Sequence, residues 1–109
     1  MPPPGWEEFL DHENILRVRV TTDRRSNIVA FTVQLECLIN ERWYNVVRYD
    51  SAHGQSHIDL INPQGKEYEK IWLGLFEPYN NAFSRALDEL KANFLKHRLR
   101  FIGQMEVRK

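Results

Sequence analysis

The sequence predicts an α+β domain: an antiparallel β-meander of about four strands with one long C-terminal helix packed on one face. Three observations lead there. Two long segments within residues 28–50 alternate apolar and polar side chains across a short polar turn, the period-two signature of half-buried strands. Asn62-Pro63-Gln64-Gly65 then closes a shorter alternating segment with a strong turn signal. After Pro78 the apolar spacing becomes helical, with Phe83, Ala86, Leu87, Leu90, Phe94 and Phe101 in one stripe. Strands first and a helix after them describe a sheet covered on one side.

Residues 1–13 read as an N-terminal arm and residues 14–109 as a single domain. Pro2, Pro3 and Pro4 favour an extended start, and Trp6, Phe9 and Leu10 offer apolar contacts to the domain or to a partner. In Ile15 to Thr21, Leu16, Val18 and Val20 point one way and Arg17 and Arg19 the other. Asp23 to Asn27 is a polar turn. Ile28 to Ile39 is the clearest strand, with Val29, Phe31, Val33, Leu35, Cys37 and Ile39 on one face. Asn40-Glu41 turns the chain, and Arg42 to Asp50 returns rich in Trp, Tyr and Val. Strict alternation puts Trp43, Asn45, Val47 and Tyr49 on one face of that strand and Tyr44, Val46, Arg48 and Asp50 on the other. His57 to Ile61 is a third short strand, and Lys66 to Trp72 reads as a further one. Asn80 or Asn81 is the expected helix cap, and Gly103 the expected end of the helix or of a strand-like tail.

A chain of 109 residues, 42% hydrophobic, fits one domain with a modest core. No apolar run approaches the length of a membrane span, so no membrane partner is expected. The Pro-rich, acidic start lacks the basic and apolar regions of a signal peptide. A single Cys37 excludes an intrachain disulfide, and its apolar surroundings read as a buried small hydrophobe. A reducing, cytoplasmic location follows as the expectation. Formal net charge is +0, which argues against a dedicated nucleic-acid coat. The charge is uneven: residues 84–109 hold seven Lys and Arg against three acids, and residues 1–23 hold two Arg against five acids. The basic end of the helix is either a solvated face or a surface for phosphates.

Chemistry concentrates in "VVRYDSAHGQSHIDLINPQG", Val46 to Gly65. If the helix covers the Ile58/Leu60 face, His57 and Asp59 lie on the opposite one, and a suitable register brings Arg48 and Asp50 beside them. Gln34 and Glu36 border the same surface, and His53 stands on the loop at its edge. Three readings apply. In metal-free RNA cleavage, His53 and His57 share the acid and base roles, Arg48 holds a phosphate, and Asp50 or Asp59 orients a histidine. In a metal site, His57, Asp59, Asp50 and His53 form the shell. In extended chain, though, the two imidazoles stand about 13 Å apart. In a structural reading, Asp50 caps the turn and Arg48–Asp59 is a salt bridge. No cofactor is expected.

The string "RWYNVVRYDSAHGQSHIDLINPQG", Arg42 to Gly65, resembles the TumE-like toxins of toxin–antitoxin systems. In that pattern an aromatic strand runs into Tyr49-Asp50, then a small-residue loop carrying His53, then His57 leading a strand. Asp59 stands where the pattern leads one to expect His or another polar residue. The resemblance covers about a quarter of the chain. It implies a translation-inhibiting toxin acting on RNA and neutralised by an antitoxin protein. The competing class is a non-catalytic interaction domain in which Trp6, Trp43 and Trp72 mediate homodimer or partner contacts.

Overall fold

The computed structural model describes residues 5–51, 54–74 and 77–107. Six strands form one antiparallel sheet in sequence order: β1 (Gly5–Asp11), β2 (Asn14–Thr22), β3 (Ile28–Ile39), β4 (Arg42–Asp50), β5 (His57–Ile61) and β6 (Glu67–Trp72). A 29-residue helix, α1 (Tyr79–Val107), follows. The α+β class and the single C-terminal helix are as expected, but the sheet has six strands, not about four. The largest difference lies at the start. Gly5–Asp11, expected within an arm, is an edge strand paired with β2 from Gly5↔Arg19 to Asp11↔Asn14. Its mostly exposed side chains conceal it from any periodicity test. The attraction between the acidic start and the basic helix is realised within the chain. Glu8 pairs with Lys91 at 3.0 Å, and Trp6 meets Phe83 edge-on at 6.3 Å.

The core lies between the sheet and α1. Leu16, Val18, Phe31, Val33, Leu35, Cys37, Val47 and Tyr49 from β2–β4 are buried against Ala82, Ala86, Leu90 and Phe101. The stripe read from the sequence is the buried face of the helix. Two readings of its ends are corrected. The Asn80 side chain accepts from the backbone N–H of Ile28 at 3.0 Å, pinning the helix start to β3 instead of capping it. Gly103 lies inside the helix, which runs on to Val107. Near the C-terminal end, Arg98 donates to the carbonyls of Glu13 and Leu38 and to the Asn14 and Glu13 side chains. Arg85 pairs with Glu77. Both cations are thus engaged within the chain, Arg98 with the β1–β2 turn and the end of β3 and Arg85 with the segment before the helix. Among the described residues no helix is long and apolar enough to cross a membrane.

The turn at Asn40-Glu41 is the expected tight hairpin, with φ of 51° and 68° at the two residues. Beyond it the expected side-chain alternation fails. Leu35 faces Val47, but Glu36 faces Asn45, so Val46 is an extra residue in β4. Such a bulge reverses the faces on one side of it. Tyr44 therefore joins Val47 and Tyr49 on the helix side, where its ring lies 5.3 Å from that of Phe101. Trp43 and Asn45 come to the open face beside Arg48.

Candidate functional site

Pairing of β4 with β5 sets Arg48 opposite Asp59 and Asp50 opposite His57. Pairing of β5 with β6 adds Lys70 opposite Asp59 and Trp72 opposite His57. All six residues share the face turned away from α1. The convergence expected for Arg48, Asp50, His57 and Asp59 is present. His53 lies outside the described residues. Lys70 and Trp72 were missed, since only the β5–β6 register shows that alternating residues of β6 complete the cluster.

Asp59 is the hub, with only 1% of its surface exposed. Arg48 donates to its Oδ2 through Nη2 at 2.7 Å and Nε at 3.3 Å. His57 Nε2 stands 3.4 Å from the same oxygen, and Lys70 Nζ lies 3.1 Å from Oδ1. The lysine contact is one of charge more than direction, because Oδ1 accepts no well-aligned hydrogen bond. Burial pushes the Asp59 carboxyl up, but the hydrogen bonds and charges around it, Arg48 and Lys70 among them, outweigh burial and hold it down to about 2. Asp50 extends the cluster, 3.6 Å from Arg48 Nε. His57, also 1% exposed, donates from Nδ1 to the Gln55 carbonyl at 3.1 Å, and its ring lies 5.2 Å from that of Trp72.

The cluster is one end of a row that crosses the whole sheet: Glu7, Arg17, Gln34, Arg48, Asp59 and Lys70 are successive cross-strand partners. Arg17 bridges Glu7 at 2.6 Å and Glu36 at 2.7 Å, and Gln34 donates to Glu36 at 2.7 Å. Gln34 and Glu36 thus border the surface as anticipated. Opposite charges next to each other on neighbouring strands stabilise the pairing. They also leave the open face close to neutral.

Ligating atoms of Asp50, His57 and Asp59 lie within 4.8 Å of one another, a spacing a divalent cation can use. Arg48 and Lys70 already neutralise Asp59, so an ion would have to compete with two cations. On the other side of Arg48 a cleft of about 440 Å³ opens, lined by Trp43, Asn45, Arg48, Ile61, Asn62 and Pro63 among others. The β4 bulge creates this grouping. Residues 1–106 match the family model of the domain of unknown function DUF7718. The chain belongs to DUF7718. No curated protein and no solved structure matches it.

The helix side of this DUF7718 domain holds a second polar group. Tyr49 donates from its hydroxyl to Glu89 at 2.9 Å, and His97 Nε2 lies 3.0 Å from both Glu89 oxygens. Burial raises the Glu89 carboxyl, but His97, Tyr49 and Asn93 together keep it below its ordinary range. Cys37 is fully buried, and burial pushes its thiol up to about 12, as expected of an inert core cysteine.

Proposed function

We propose that the chain is a toxin-like protein that acts on RNA, with the open face of the β4–β5 hairpin as its working surface. The observation that supports this is the cleft shared by Trp43, Asn45 and Arg48. Trp43 is 46% exposed and offers a π-face to a nucleobase. Asn45 can read a base edge, and Arg48 can hold a phosphate. These are the parts needed to seat one unstacked nucleotide. The near-neutral face favours such local recognition over tracking of a long phosphate backbone. His57, with Asp59 and Asp50 beside it, is the group for acid–base chemistry. It lies behind Trp72 and is 1% exposed, so cleavage requires the ends of β5 and β6 to open, whereas recognition at the cleft does not. The partner expected for such a protein is an antitoxin.

Fluorescence anisotropy with a labelled single-stranded octanucleotide RNA tests the reading. Binding should weaken by roughly 5- to 150-fold in Trp43→Ala, the equivalent of about 1–3 kcal/mol for base stacking. Its logarithm should fall against that of salt with a slope near −0.7, as for one phosphate. Incubation with RNA in EDTA, comparing wild type with His57→Ala, reads cleavage, and growth after induced expression reads toxicity. Absence of RNA binding, cleavage and toxicity together would leave the second reading, a non-catalytic domain that dimerises or binds a protein. That reading is favoured by the burial and internal charge compensation of Asp59.

A further inference from the structure

The other face of the sheet is incompletely covered. Helix α1 packs on β3 and β4, and a cleft of about 320 Å³ remains where β5 and β6 extend past it. Its floor is Ile58, Leu60 and Ile71, and its wall is Glu89, Lys96, His97 and Arg100. Glu89 is already held by His97 and Tyr49. The two cations are not matched in this way. Arg100 donates to the Tyr68 hydroxyl and the Val46 carbonyl, both neutral, and its Nε is buried with no acceptor. Among the described residues no carboxylate lies within ion-pair reach of Arg100 or Lys96. An apolar floor under two unmatched cations suits a ligand that is apolar and carries a negative charge.

Beside this cleft runs β6, the last strand of the sheet, with all six of its residues exposed. An outer edge of this kind presents alternate N–H and C=O groups to any extended chain. A second copy is a poor occupant. Two-fold antiparallel pairing keeps each face on its own side, so the two central registers set Glu69 opposite Glu69 or Lys70 opposite Lys70, and like charges directly opposite destabilise.

We propose that β6 and its cleft dock an extended acidic–apolar segment of a partner protein, added as a seventh strand. Strand addition supplies main-chain hydrogen bonds, and alternate side chains enter the pocket. One apolar residue of the segment packs on Ile58 and Ile71, and a carboxylate two residues away reaches Lys96 and Arg100. This surface is on the opposite face from Asp59, so the proposal stands or falls independently of the RNA reading.

Synthetic nonapeptides provide the probes, with binding read by anisotropy. The first alternates threonine with valine and carries one central aspartate on the valine face. In the second, lysine replaces that aspartate. In the third, a proline interrupts the centre. Decanoate serves as a free amphiphilic carboxylate. The aspartate peptide should bind at least tenfold more tightly than the lysine and proline peptides. Lys96→Glu should abolish that preference, and Ile71→Lys should abolish binding; both positions are exposed, and circular dichroism checks that each variant folds. Absence of binding by the aspartate peptide overturns the proposal, as does equal binding of the proline peptide. Displacement of the aspartate peptide by equimolar decanoate would mark the cleft as a small-amphiphile site instead. A dimer in sedimentation that Ile71→Lys dissociates would show the occupant to be a second copy. Either result also overturns the proposal.

Discussion

Acid titration should expose how strongly the cations around Asp59 hold it. Its carboxyl lies at about 2 in the folded chain against an ordinary 3.8. The folded value is the depressed one, so the associated stability is fully present above about pH 4 and is lost as pH falls towards 2. Near-complete burial of Asp59 means that solvent screening does not greatly dilute the effect. A shift of nearly two units corresponds to about 2.4 kcal/mol at about 1.36 kcal/mol per unit. Linkage then removes about 1 kcal/mol by about pH 3 and about 2 kcal/mol by about pH 2. Urea unfolding followed by circular dichroism, on wild type and Asp59→Asn across this range, isolates the term, because other carboxylates largely cancel in the difference. At neutral pH the variant should be the less stable. The loss should fall short of the roughly 3–5 kcal/mol of a fully buried pair, since Arg48 and Lys70 keep access to water. The gap between the two proteins should close by about 2 kcal/mol between about pH 5 and pH 2. A gap that does not change with pH would refute the account of Asp59 as a carboxylate held by Arg48 and Lys70.

Leu90 is fully buried between helix and sheet, so Leu90→Ala should cost about 2–5 kcal/mol in urea unfolding. A loss under about 0.5 kcal/mol would place it outside the core. Glu41 occupies the left-handed region at φ 68°, and Glu41→Gly should raise the unfolding free energy by about 0.5–1 kcal/mol, as relief of that conformation outweighs the added chain entropy. A destabilised variant would contradict the turn assignment. Cys37 should resist a thiol reagent in the native protein and react at once in denaturant; prompt native labelling would show that the core opens at β3.

Much of the fold is legible because β3 and α1 bury one face each. Phe31, Val33 and Leu35 on one side and Ala86, Leu90 and Phe101 on the other carry the period in their residue types. β1 is not legible: its residues stay mostly exposed, and it is held by pairing with β2, an interaction between distant residues that local patterning does not encode. The site divides in the same way. His57 and Asp59 alternate with Ile58 and Leu60, so their common face can be read from five residues. Lys70 enters only through the β5–β6 register, and Trp43 only through the bulge, where Val46 and Val47 are both buried and alternation by itself points the wrong way. The kink of α1 at Asn93, with φ −123° and ψ 17°, left no trace in the apolar stripe.

The extra residue in β4 separates the length of the strand from the facing of the side chains around it. Deleting Val46 would leave each strand and turn with a plausible composition, and a conventional alternation test would score the shortened chain as the better strand. The deletion would also keep Leu35 opposite Val47 and Glu36 opposite Asn45, with Tyr44 beside Phe101 and with Trp43 and Asn45 beside Arg48. What it would remove is the buried Val46 side chain and the added local twist of the bulge. At this one position length and facing are uncoupled: the strand can lose a residue while the side chains before and after it keep their sides of the sheet.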